Sequence, residues 1–195
     1  MIQLHLPQQQ SYSRGQAVLR AFLGWLYLGI PGGIFIYVYN FVNSILAWVS
    51  WWIVVFTGSF PEGIQKLMLD MEVSVSRWYV FQLGMRDGFP ELAPTQDANE
   101  VTLMPQQWEY SRGKALLLAL LMAIYGVVYG IVAILLWVVL GFVSWLQFWV
   151  VLFRGEMNDG LYTIMTDCIN LGFTIGLFMY GVYQKFPGLE SSKLM

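Results

Sequence analysis

The chain has 195 residues, of which 57% are hydrophobic, 17% aromatic and only 11% charged, and its formal net charge is −2. Soluble domains carry about 25% charged residues, and a fold of this length leaves roughly 30% of its unfolded surface in contact with solvent, so a purely aqueous protein is excluded. The net charge is uninformative about nucleic acid, but no basic patch exists and no nucleic-acid partner is expected; the single cysteine, Cys168, excludes an internal disulfide.

Residues 1–11 read as a polar tail holding the only histidine, His5. With no second histidine or cysteine beside it, no metal or other cofactor site is expected. From 21 to 61, between Arg20 and Glu62, there is no Asp, Glu, Lys or Arg, and the same holds for 115–153, between Lys114 and Arg154. A crossing helix needs about 20 apolar residues for a core about 30 Å thick, whereas one helix of about 39 residues would be roughly 58 Å long. Each run is therefore expected to be a helical hairpin: spans 17–37 and 40–57, then 115–134 and 137–153, with uncharged turns between.

The next segment, 61–85, gathers Ile64, Leu67, Met68, Met71, Val75, Trp78 and Tyr79 at i, i+3, i+4 and i+7 intervals. Gln65, Lys66, Glu72, Ser76 and Arg77 sit elsewhere on the wheel and read as a solvated face. This is the pattern of an amphipathic helix, lying in the headgroup plane or packed across the inner mouth of the bundle. After a polar linker, 93–109, the pattern recurs. Tyr12-Ser13-Arg14-Gly15 returns as Tyr110-Ser111-Arg112-Gly113. Trp48, Trp52, Phe56, Gly58, Gly63 and Asp70 meet Trp145, Trp149, Phe153, Gly155, Gly160 and Asp167. Two tandem units, 12–92 and 110–189, follow, with a tail at 190–195; their spacing changes from 98 to 97, so one residue has entered or left early in the first span. The second unit's third segment, 158–184, is more apolar and either dips deeper or spans.

If each hairpin returns to its starting side, every Lys and Arg lies on one face, which the positive-inside rule favours. The expectation is four spans, two parallel units and both termini in the cytoplasm. Trp48, Trp51, Trp52, Trp145 and Trp149 then lie at the cytoplasmic interface. Gly29-x-x-x-Gly33 and Gly126-x-x-x-Gly130 have the spacing of a close helix–helix seam, disturbed in the first copy by Pro31.

Phe56-Thr57-Gly58, Pro61-Glu62-Gly63, Arg77-Trp78 and Phe89-Pro90 together resemble a bacterial membrane family catalogued as domain of unknown function four-three-eight-nine. The second unit keeps Phe153, Gly155, Gly160 and Phe186-Pro187 but lacks the threonine, the proline and the Arg-Trp pair. The resemblance implies a bacterial inner-membrane protein and carries no activity.

No nucleophile–base set or phosphate-cradling glycine motif is present, so no enzyme is expected. Asp70, Asp167 and Arg77 are the polar candidates; interface solvation competes with a functional role for both acids. The two charge-free runs offer no ionisable group at mid-membrane, which argues against a pump, although Asn40, Asn43 and Gln147 suit a polar pathway. The leading expectation is a non-catalytic accessory or scaffold subunit that binds membrane lipids and another integral membrane protein, or forms a homo-oligomer. A lipid-handling or passive transport module, with a groove between the units, is the alternative.

Overall fold

Neither charge-free run turns back on itself. In the computed structural model, which describes residues 4–90, 102–103 and 110–184, helix α1 (Arg14–Gly24), a π-helical turn (Trp25–Gly29) and helix α2 (Ile30–Thr57) follow without a break. Gly24, Gly29 and Ile30, at the junctions, all keep right-handed helical dihedrals. The second run is one helix, α4 (Arg112–Arg154), of 43 residues, or about 64 Å. The turns expected near 38–40 and 134–137 are helix interior, so both hairpins are corrected to long single helices. The reason is local. Val38-Tyr39-Asn40 and Ile134-Leu135-Leu136-Trp137 contain no glycine or proline to reverse the chain. In an apolar surrounding, continuing the helix satisfies every backbone N–H, whereas an uncharged turn would orphan several.

Reversal comes where glycine permits it. Gly58 and Gly155 take φ of 81° and 76°, left-handed values that cost other residues energy, and their N–H groups return to Val54 O and Val151 O. Helices α3 (Glu62–Gln82) and α5 (Asp159–Met179) then run back along α2 and α4. Asn158 caps α5, its side chain accepting from Leu161 N at 3.2 Å. A two-residue antiparallel pairing joins β1 (Leu4–His5) to β2 (Thr102–Leu103), with Leu4 opposite Leu103. The tail is not simply solvated: Leu4 and Leu6 are buried, Leu4 N donates to Asn170 Oδ1, and Tyr162 Oη donates to Leu6 O.

The long helices are antiparallel. Arg14 Nη2 donates to Phe153 O at one end, and Arg112 Nη2 to Thr57 O at the other. Residue 12 therefore lies at one end and residues 182–184, which bond Tyr110 and Ser111, at the other. This replaces the parallel units and the single cationic face. Arg14, Arg20 and Arg154 share one end, while Arg112 shares the other with the end of α2. The tryptophans divide likewise, Trp48 and Trp52 near one end and Trp145 and Trp149 near the opposite one. The rest of the linker 93–109, the Phe186-Pro187 stop and the tail 190–195 lie outside the described residues.

Helix α3 is not an interfacial helix. Residues 68–78 are buried on every side, because α2 and α5 pack against it. Among the described residues, three helical segments, Leu26–Thr57, Arg112–Arg154 and Asp159–Met179, are long and apolar enough to cross a membrane. The apolar outer faces belong to the long helices; Phe22, Tyr37 and Phe56 are exposed along one, Leu120, Val138 and Phe153 along the other.

Corresponding bounds follow the spacing read from the sequence. Arg14 and Arg112 open the long helices 98 residues apart, and Thr57 and Arg154 close them 97 apart. The extra residue is lodged in the π-helical turn, the usual accommodation of a one-residue insertion in a helix. That turn immediately precedes Pro31, which has no N–H and whose ring would crowd the carbonyl of Tyr27 in a regular α-helix.

Candidate functional site

Burying α3 brings its polar residues inside the bundle. Asn43, in the middle of α2, is fully buried, and its Nδ2 donates to Glu72 Oε1 at 2.9 Å. Glu72 itself is 6% exposed. From α5 the carboxyl faces Gly176, where an added Cβ would stand 3.4 Å from Glu72 Oε2. The absent side chain makes the room. A cavity of about 210 Å³ opens beside this carboxyl, lined by residues of α2 to α5 that include Asn40, Ser76, Tyr79, Cys168 and Tyr180. Tyr180 Oη donates to Asn40 Oδ1 at 3.3 Å, and Ser76 Oγ is turned back to Glu72 O.

The set comprises a carboxyl, amides, phenols and a thiol, with an aromatic wall at Trp137. It suits binding of a small polar or cationic group. A carboxyl inside a membrane bundle is costly and tends to mark a functional position. The two charge-free runs hold no ionisable group, as read from the sequence, and α3 brings one in beside them. Among the described residues, no group of three or more His, Cys, Asp or Glu is placed to hold a metal ion.

The expected site residues are scattered. Asp70 is buried and paired with Lys66 Nζ at 2.7 Å, Asp167 is exposed on α5, and Arg77 is 2% exposed within α3 rather than solvated. Trp48, Trp52, Trp145 and Trp149 face outward, but Trp51 is buried, its Nε1 donating to Tyr180 O at 3.0 Å. Among the described residues the glycine pairs form no seam. Gly33 and Gly130 have nothing within 4 Å of an added Cβ, Gly29 meets only Gly24 O at 3.9 Å, and Gly126 meets only Met179 Cε at 3.8 Å. The close approach falls one residue away, at Gly32, where a Cβ would collide with the indole of Trp78. Asn40 and Asn43 do gather at the central site, whereas Gln147 lines a different cavity. Glu72 was hidden in the sequence because one charge among Lys66, Asp70 and Arg77 looks like a solvated face.

Among the described residues, three apolar helices of membrane-crossing length pack about a largely apolar interior that also holds Asn43, Glu72 and Arg77, an architecture that suits a helical membrane protein. No protein-family model matches the chain, and neither a curated protein nor a solved structure matches it.

Proposed function

We propose that the protein is a non-catalytic, multi-pass protein of the bacterial inner membrane, an accessory or scaffold subunit of a larger membrane complex. The observation that carries this reading is the outer face of the two long helices, apolar from Phe22 to Phe56 and from Leu120 to Phe153. Lipid covers such a face, and another integral membrane protein or a second copy competes for it. Paired contacts support a tandem duplication: Tyr12 Oη to Met85 O beside Tyr110 Oη to Val182 O, and Ser13 N to Asp87 beside Ser111 N to Gln184. The motifs resembling domain of unknown function four-three-eight-nine support the bacterial placing. Native mass spectrometry after mild extraction from native membranes tests the proposal. A second protein, or a second copy, at fixed stoichiometry supports it; a lone chain carrying only lipid overturns it.

A second reading, lipid handling or passive transport, is favoured by the Glu72 cavity, which lies where the two halves meet. Glu72→Gln tests it in vesicles. Unchanged uptake or lipid exchange in the variant would remove the cavity from the function.

A further inference from the structure

Positions 97 apart in the chain line the Glu72 cavity together. Asn40 and Trp137, Glu72 and Ile169, and Ser76 and Phe173 are three such pairs. In each, the member from the first half is polar and its counterpart apolar. The cavity is therefore two-sided: α2 and α3 bring an amide and an acid, while α4 and α5 bring an aromatic and aliphatic wall. Tyr79 has Gly176 as its counterpart, and an added Cβ at Gly172, which also lines the cavity, would meet nothing within 4 Å. These two glycines leave the room on the α5 side.

Among the described residues, Glu72 brings the only charge to this wall, and no Lys or Arg is paired with it. Its Oε1 accepts from Asn43 Nδ2. Oε2 stands on the Gly176 side and has no donor among the described residues, and it is not enclosed as Asn43 Oδ1 is. A carboxylate withdrawn from water needs an opposite charge or a proton. The surroundings favour the charge. Tyr79 and Trp137 meet edge to face, with centroids 4.8 Å apart, and form an aromatic corner in the same cavity. Such ring faces attract cations. Trp137 and Gly172, both exposed, mark where the cavity opens. An apolar cavity of about 150 Å³ takes up benzene. At about 210 Å³, this one has room for a ring-sized body and a short cationic arm.

We propose that the cavity binds a small organic ammonium ion with an apolar body. The ammonium donates to Glu72 Oε2 beside the Tyr79–Trp137 corner, and the body lies against Ile169 and Phe173. The inference rests on the reading of this cavity as the working site of a transport module, and it names the chemical class of what enters.

The test is equilibrium binding to the full chain in detergent, read by calorimetry. The probes are benzylammonium, its neutral isostere benzyl alcohol, and potassium chloride. Wild type is expected to hold benzylammonium at least about tenfold tighter than benzyl alcohol. Glu72→Gln, whose amide oxygen still accepts from Asn43, should erase that difference. Gly172→Leu places a side chain in the open space and should weaken benzylammonium about tenfold or more, which keeps the test decisive if the glutamine variant fails to fold. Equal binding of the two organic probes by wild type, or a preference that survives in folded Glu72→Gln, overturns the proposal. Unchanged benzylammonium binding in Gly172→Leu overturns it as well. Displacement by potassium at equal concentration overturns the organic body in favour of a bare ion. Selective binding in detergent, with vesicle uptake unaffected by Glu72→Gln, supports the site and removes the transport reading alone.

Discussion

Asn43 Nδ2 donates to Glu72 Oε1 at 2.9 Å, tying the middle of α2 to the middle of α3 in the interior of the bundle. Removing one partner of such a pair leaves the other buried and unbonded, at a cost of about 1–3 kcal/mol. Asn43→Leu should therefore destabilise the protein by that amount. Replacing both residues by leucine should recover most of the loss, and Glu72→Gln should cost less than Asn43→Leu because an amide oxygen still accepts. Thermal unfolding in detergent reads all three; a double variant as unstable as the sum of the singles would show that the bond is incidental.

Gly32 and Gly33 are neighbours with opposite surroundings. A Cβ at Gly32 meets the buried indole of Trp78, whereas one at Gly33 meets nothing within 4 Å. Gly32→Leu is expected to overpack the α2–α3 contact and to cost at least about 1–3 kcal/mol. Gly33→Leu and Gly130→Leu should leave the stability within about 0.5 kcal/mol of wild type. A large loss at Gly130 instead would point to a partner seated on that face.

The π-helical turn at Trp25–Gly29 stores one residue beyond the length of α4. Deleting Leu26 should convert the turn to α-helix with the flanking faces preserved, provided Pro31 is also changed to valine, the residue at the matching position 128. Deleting Ile45 should be far more damaging, because no bulge absorbs the change and every preceding side chain rotates by about 100°. Expression and monodispersity in detergent distinguish the two deletions; equal tolerance would show that the turn does not carry the insertion.

Continuous long helices also predict accessibility. In a Cys168→Ala background, cysteines introduced at Tyr39 or Leu135 should resist membrane-impermeant thiol reagents from either side, because both positions are helix interior. Rapid labelling at both from one side would restore the hairpin topology in place of the long helices.

The sequence was most informative where the physics is local. Charge-free runs identify the apolar helices, glycines 58 and 155 mark where they stop, and the change of spacing from 98 to 97 locates the inserted residue within the first helix. The hairpins failed because a length argument was asked to decide a conformational question. A helix longer than the bilayer is not forbidden, while a turn lacking glycine or proline is poorly supported.

What the sequence by itself determined is which segments are apolar and helical: apolar periodicity and the absence of charge are properties of each segment alone. Whether α3 faces lipid headgroups or other helices depends on what packs around it, which its own periodicity does not contain. Only the antiparallel pairing of the long helices, with α5 laid beside α3, buries Glu72 against Asn43 and turns a charge on a helical wheel into the acid of an internal cavity. The same pairing sends Trp48 and Trp145 to opposite ends and puts Arg20 and Gln147 among the residues that line one cavity. Contacts between residues far apart in the chain create these sites, and a local pattern records only the residues that such contacts later bring together.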